Sequence, residues 1–352
     1  MTTIHVLSHY SVDLSSTAVK PFGNGLINHT WLIDTPTEQF ILQRLNERIF
    51  KSPDDIASNI EAIRDFLERK HPSYHFVAPI KNKRGATLTH VEEGYFRLFP
   101  FVKHSISRNV VDSPKQAFEA ASQFGKFTTI LHDFPVEQLK ITLPDFHNLT
   151  LRHQQFVTSQ HQGNPERIQQ AQHLIEALNN REDILKTFEA IQRDTQFKLR
   201  VTHHDTKISN VLFNANDDGL CVIDLDTVMP GYFISDVGDM MRTYLSPVSE
   251  EEKDFNLIEI REPFLEAVVK GYYRETQSTL STIEKEHFFF AGRFMIYMQA
   301  LRFLTDYIND DQYYPITYST QNFVRAGNQL SLLIKLESKS AMIHRMLDNI
   351  SQ

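Results

Sequence analysis

Two neighbouring stretches, Leu199–Asn214 (LRVTHHDTKISNVLFN) and Leu220–Met229 (LCVIDLDTVM), decide how this 352-residue chain is read. They are short apolar runs on either side of NANDDG, an Asn- and Gly-containing turn, so together they predict a hairpin-like insert. What surrounds the insert is helical in pattern. SPKQAFEAASQFGKFTTILHDF from Ser113, PERIQQAQHLIEALNN from Pro165, EPFLEAVVKGYYRE from Glu262 and FFFAGRFMIYMQALRFL from Phe288 all have helical composition or spacing. The first hundred residues read differently. TWLID, FILQRLN and EEGYFRLFPFV are strand-like, and between them SPDDIASNIEAIRDFLERK predicts one helix, with Ser52 as cap, Pro53 at its first position and Ile56, Ile60, Ile63 and Leu67 on one face. The expectation is an α+β chain. A small β-rich lobe over residues 1–100 precedes a larger, mainly helical lobe over 101–352, with the boundary between Phe99 and His104.

Composition narrows the partners. Apolar residues at 41%, charged residues at 23% and 26 Phe describe a globular chain with a sizeable core rather than a disordered one. The 36 basic and 44 acidic residues give a net charge of −8, which argues against a nucleic-acid surface or an anionic-membrane binder and favours small or neutral partners. A single cysteine, Cys221, permits neither an internal disulfide nor a cysteine zinc cluster and suits a reducing compartment, so the cytoplasm is expected. The opening residues lack the basic and apolar regions of a signal peptide. The apolar stretch at Phe288 carries Arg293 and Arg302, which predicts a buried helix rather than a membrane span.

The chemistry concentrates in the insert. His203, Asp205, Lys207 and Asn210 fit H-x-D-x-K-x-x-N, and Asp224 follows beyond one strand. Phosphoryl transfer to an alcohol needs these parts: an Asp to take the hydroxyl proton, a cation to face the γ-phosphate, and hard oxygen ligands for Mg²⁺. Asp205, Lys207 and the pair Asn210 with Asp224 supply them in that order. Each piece alone is common in ordinary structure, since an H-x-D can be a satisfied buried pair and IDLD a strand end. Gathered at these offsets, five polar groups would be costly to bury without a ligand.

The constellation resembles the aminoglycoside phosphotransferase and choline kinase superfamily. More narrowly, PFGNGLINHTWLID, FILQRLNERIF, LRVTHHDTKISN, IDLDTVMPG, DVGDMMR and LRFLTDY look like N-acetylhexosamine 1-kinases, over about residues 20 to 335. The resemblance implies a protein-kinase-like bilobal fold and transfer from ATP, with Mg²⁺, to the anomeric hydroxyl of N-acetylglucosamine or N-acetylgalactosamine. It makes Asp205 the catalytic base, assisted by Lys207, and gives the metal to Asn210 and Asp224. Asp226 becomes a sugar contact or a second metal ligand, and Arg302 and Tyr313 become sugar contacts. The nucleotide falls to Gly23, Gly25, Asn28, Thr30, Ile41, Gln43 and Phe101. His203 and Asp236 are implied to be scaffold, with Asp236 bonding the catalytic loop from below, and Asp239 is read as structural.

Some positions keep two readings. Gly23 and Gly25 form either a phosphate-covering hairpin or an ordinary tight turn. Gln43 stands where a protein kinase carries a phosphate-binding Lys, and a neutral amide supplies no charge; Arg44 substitutes only if the strand register is shifted by one. Glu61 is then a partner carboxylate or an exposed helix residue. Arg302 contacts sugar or pairs with Asp306 one turn on, and His147 and Arg325 are further candidates. The competing functions are a kinase for another small alcohol (choline, ethanolamine, homoserine or an aminoglycoside) and a non-catalytic nucleotide-binding protein.

Overall fold

Period-two alternation in the first hundred residues builds a five-stranded antiparallel sheet. A computed structural model describes residues 2–23 and 27–351. After a short helix, α1 (Thr2–Leu7), come β1 (Ala18–Pro21), β2 (His29–Asp34), β3 (Gln39–Arg44), the helix α2 (Pro53–Lys70), β4 (Thr89–Val91) and β5 (Gly94–Pro100), in the spatial order β1-β2-β3-β5-β4. Phe40 and Leu42 of β3 and Phe96 and Leu98 of β5 turn to one face. There they bury with Ile33, Val6, Leu7 and Tyr10 as a small separate core. Their alternates, Ile41 and Gln43 on β3 and Phe99 and Arg97 on β5, point to the other face and pair directly across the strands.

Helix α2 starts where expected, with Pro53 in its first turn, although the Ser52 side chain makes no capping bond. Ser113, the equivalent residue before α3 (Pro114–Ile130), does cap, accepting from Gln116 N. The predicted stripe Ile56, Ile60, Ile63 and Leu67 is buried, but in the core of the larger lobe rather than that of the sheet. Asn59 in the same stripe fixes the attachment: its amide donates to Lys140 O and Val228 O at 2.9 and 3.0 Å and accepts from Lys140 N at 2.8 Å.

The larger lobe continues with β6 (Ile106–Ser107), α3, α4 (Leu149–Gln162), α5 (Pro165–Gln170), α6 (Gln172–Asn179) and α7 (Glu182–Arg193). Then come β7 (Arg200–Thr202), β8 (Val211–Phe213), β9 (Gly219–Val222), β10 (Met229–Gly231), α8 (Phe233–Tyr244), α9 (Glu262–Thr276), α10 (Thr282–Glu286), α11 (Phe288–Ile308), α12 (Gln321–Glu337) and α13 (Ser340–Ser351). The Pro165 stretch breaks at Ala171 into α5 and α6. The expected hairpin is β8–β9, with β6 on its other edge, while β7 pairs with β10 instead. Residues 203–210 therefore bridge two small sheets.

The apolar stretch at Phe288 is α11, buried nearly throughout, and no helix among the described residues is long and apolar enough to cross a membrane. Helix α8 lies close against α11: a Cβ on Gly238 would collide with Ala291 O, so only glycine permits the approach. That contact sets α8, and with it Asp236 and Asp239, beneath the 203–210 loop.

Candidate active site

The loop His203–Asn210 is held by its backbone. Asp236 accepts from His203 N and His204 N at 3.1 and 2.8 Å, and Asp239 accepts from Thr206 N at 2.8 Å. Tyr244 Oη donates to Thr206 O and Thr227 Oγ1 to His203 O, both at 2.6 Å. The His203 ring is buried against Phe124 and reaches Ile223 O at 3.0 Å, joining the loop to the strand that delivers Asp224. His204 and Asp224 take left-handed backbone angles, φ 67° and 62°. Non-glycine residues keep such angles only where their surroundings impose them.

Three charged side chains meet above this floor. Lys207 Nζ donates to Asp205 Oδ2 at 2.7 Å and stands 3.9 Å from Asp224 Oδ2. Burial alone would raise the Asp205 carboxyl, but the Lys207 ammonium outweighs it and holds Asp205 below the ordinary range, hence ionised. Asp224 goes the other way. It sits under the strand lobe beside Asp226, and burial followed by that like charge pushes it up to about 7. Asp236 is also pushed up to about 7, chiefly by burial.

Asn210 spends its amide N–H on Asp205 O at 2.9 Å and leaves its Oδ1 free among the described residues. Asp224 accepts no hydrogen bond there, and a third of its side chain is open to the cleft. The Asn210 amide oxygen and a carboxylate destabilised by its neighbour suit a hard divalent cation that completes its shell with water and phosphate. No group of three or more His, Cys, Asp or Glu able to hold a metal exists among the described residues, so such an ion would need those outside ligands.

The sheet forms the roof. Gln43, Ile41 and Thr30 lie on or beside its cleft face, and Arg44, on the opposite face, does not. Gln43 Nε2 donates to Thr30 Oγ1 at 3.3 Å, and Asn28 Nδ2 donates to Asp226 Oδ2 at 2.8 Å. Phe101 N bonds Gln39 O, and its ring meets Phe22 edge-on at 6.0 Å. Gly23 has φ +73° with open space around it, and Gly25 lies outside the described residues. Glu61 accepts from Thr87 Oγ1 at 2.7 Å and forms no ion pair among the described residues.

Sequence reasoning missed Arg97. It lies directly across from Gln43, pairs with Asp226 Oδ1 at 2.5 Å, and is as deeply buried as that partner, at 2% and 1% exposure. The available signal was a lone arginine inside the otherwise apolar strand GYFRLFP, where a charge needs a partner. Asp226 thus has Oδ2 hydrogen-bonded by Asn28 and Oδ1 in an ion pair with Arg97 that lacks hydrogen-bond geometry.

Beside the His203–Asn210 loop, His147 Nδ1 is 3.3 Å from His204 Nδ1. Burial first, then the charges of His204 and Arg302, depress His147 well below the usual histidine range. Arg302 lies over the Tyr313 and Tyr314 rings at 5.7 and 5.4 Å and donates to Gln299 Oε1. It does not pair with Asp306, whose carboxylate instead accepts from Tyr313 N, Tyr314 N and Asn322. Arg325 is taken up by Glu251.

A small strand lobe over a larger helical lobe, with an H-x-D-x-K-x-x-N loop and a following Asp between them, is the protein-kinase-like fold of small-molecule kinases. The sequence profile of the APH phosphotransferase enzyme family matches residues 18–275, and the chain belongs to that family. It is a small-molecule phosphotransferase. Solved structures agree in fold. An aminoglycoside phosphotransferase from Alicyclobacillus acidocaldarius superimposes with a TM-score of 0.65 at 12% identity, covering 98% of this chain and 96% of the other. The microcompartment-associated aminopropanol kinase gives 0.63 at 16% identity over 96% and 98%. Spectinomycin phosphotransferase, in complex with ADP and spectinomycin, gives 0.59 at 13% identity over 96% and 98%.

Proposed function

We propose that this chain transfers the γ-phosphoryl group of ATP to the anomeric hydroxyl of N-acetylglucosamine or N-acetylgalactosamine, with Mg²⁺. Asp205 is the base. The sugar oxygen attacks the γ-phosphorus, the bond to the ADP oxygen breaks, and the hydroxyl proton passes to Asp205, which Lys207 keeps ionised. Lys207 then has a second task, since its flexible ammonium can leave Asp205 for the γ-phosphate as the hydroxyl takes its place. Asn210 and Asp224 would hold Mg²⁺, which supplies charge neutralisation on the transferred phosphate. The bonds from Asp236, Asp239 and Tyr244 fix the loop so that Asp205 meets the hydroxyl in a reactive orientation.

The observation that carries the acceptor assignment is Arg302, a guanidinium that bonds Gln299 and lies over the Tyr313 and Tyr314 rings but forms no ion pair among the described residues. A cation left unneutralised opposes choline, ethanolamine or an aminoglycoside and suits an oxygen-rich neutral sugar, which Tyr313 and Tyr314 can face with their rings. The sequence likeness to N-acetylhexosamine 1-kinases supports the same choice. The test is phosphate transfer from ATP and Mg²⁺ over a panel of sugars and amino alcohols, with the reducing end of the product assayed. An anomeric phosphate abolishes reducing-end reactivity, and the acetamido sugars should exceed glucose and galactose, because each unmatched buried polar group costs about 1–3 kcal/mol. Faster phosphorylation of choline or homoserine, or a product that still reduces, would refute the sugar assignment.

A further inference from the structure

The position that carries a phosphate-binding lysine in protein kinases is Gln43 here, and its amide is already engaged. Oε1 accepts from Arg97 Nε and Nη2 at 3.2 and 2.9 Å, and Nε2 donates to Thr30. Gln43 and Arg97 are direct cross-strand partners, so both project from the cleft face of the sheet. On its far side the guanidinium pairs with Asp226, two residues beyond Asp224, and Asp226 is itself tied to Asn28 in the segment that follows the Gly23 turn. Arg97 therefore links Gln43 of the sheet to Asp226, and its positive charge acts on the Asp224 carboxylate two residues away. Gln43 takes two of its five N–H groups in hydrogen bonds and Asp226 meets the guanidinium as an ion pair without hydrogen-bond geometry, so three N–H groups make no hydrogen bond among the described residues.

Resting on the kinase reading, we infer that Arg97 is the cation that binds the α- and β-phosphates of the nucleotide, with Gln43 orienting it and Asp226 as its counterion. A charge that protein kinases place on the third strand is supplied here from the neighbouring strand. A planar fork also reads phosphate differently from an ammonium, because it engages two oxygens at once. The ligand it selects is a nucleoside di- or triphosphate, and a nucleoside without phosphates gains nothing from it. Asp226 competes with the phosphates for the same guanidinium, so weakening that carboxylate should help the nucleotide.

Calorimetric titration with ADP and with adenosine, in EDTA and again in Mg²⁺, tests this without any acceptor. Arg97→Gln should raise the Kd for ADP at least about tenfold and leave adenosine within about twofold, while Arg97→Lys recovers part of the loss. An unchanged ADP affinity in folded Arg97→Gln would show that the guanidinium only braces the lobes and would overturn the inference. Should Arg97→Gln fail to fold, Asp226→Asn decides instead. It keeps the guanidinium in place and should bind ADP as tightly as the parent or more tightly, whereas a brace predicts weaker binding, and that result would overturn the proposal. The two failures are separable: a parent chain that binds no adenine nucleotide refutes the kinase reading and this inference with it. A parent that binds ADP but phosphorylates some other alcohol leaves these titrations, and Arg97, unaffected.

Discussion

The floor and the roof of the cleft are stabilised by different kinds of contact. Beneath Asp205, buried carboxylates and hydroxyls of α8 and its surroundings grip main-chain N–H and C=O groups, so the backbone of residues 203–206 is fixed whichever way its side chains point. Above it, Gln43, Arg97, Asn28 and Asp226 join the sheet to the helical lobe through side chains alone. Backbone anchoring suits a base that must meet a hydroxyl within fractions of an ångström. Side-chain anchoring suits groups that exchange one another for phosphate. The allegiance of α2 sharpens the contrast, since its apolar stripe belongs to the floor's core and the sheet keeps a small core of its own.

The largest effects should come from the floor. Asp205→Asn keeps the loop's backbone bonds and the fold but removes the proposed proton acceptor, so turnover should fall by about 10²–10⁴ with acceptor binding nearly intact. Near-parental turnover would remove Asp205 from the mechanism. Asp236→Ala should be the most damaging to stability, since it strands the N–H groups of His203 and His204 in a fully buried site at about 1–3 kcal/mol each. Urea unfolding measures this. A loss below about 1 kcal/mol would mean the floor is held from elsewhere.

How much of this could be read in the sequence follows the same division. The floor was legible because its parts are close in the chain: the offsets from His203 to Asn210, one strand to Asp224, and Asp236 opening the next helix. The roof was not, because the pairing of Gln43 with Arg97 depends on the register of two strands more than fifty residues apart, with a helix and a long loop between them. Alternation along β3 assigned Gln43 and Arg44 to opposite faces but could not say which face looked into the cleft until the partners of Phe40 and Leu42 were known. The stripe on α2 likewise announced burial and not what it would be buried against. Asp306 stands at helical spacing from Arg302, yet the chain turns after α11 and brings the N–H groups of Tyr313 and Tyr314 to it first.

Asp224 lies between the two regions, and pH separates its contributions. Its folded pKa near 7 exceeds the unfolded carboxylate value of about 4, so the folded chain retains a proton that the unfolded chain has released across that interval. Stability attributable to Asp224 is therefore intact below about pH 4 and is lost as pH rises towards 7. Asp224→Asn, which cannot ionise, should be inactive yet melt higher than the parent at pH 7.5 without metal, with the gap narrowing towards pH 5 and shrinking when Mg²⁺ is added to the parent. A variant that melts lower at every pH would mean that the carboxylate is stabilised in the empty cleft and would count against it as a metal ligand.

The smallest effects concern the two residues that the strand register sets apart. Gln43→Ala removes the acceptor that orients Arg97 but leaves the guanidinium paired with Asp226, so the charge stays and only its aim is loosened. The KM for ATP should rise by less than about tenfold, roughly 1.4 kcal/mol, as expected where a neutral amide only orients the guanidinium and the charge itself stays, and the KM for the acceptor should not move. Arg44→Ala, on the other face of the same strand, should leave both constants within about twofold, since its side chain lies near Gly94 and Glu47 and away from the cleft. The pair is informative as a ratio. If Arg44→Ala proves the more damaging to ATP use, the face assigned to the cleft is the wrong one, and the clamp on Arg97 would fall with it. If Gln43→Ala abolishes activity outright, the amide acts directly on the reacting phosphate, and the separation of a chemical floor from an exchangeable roof would have to be redrawn at β3.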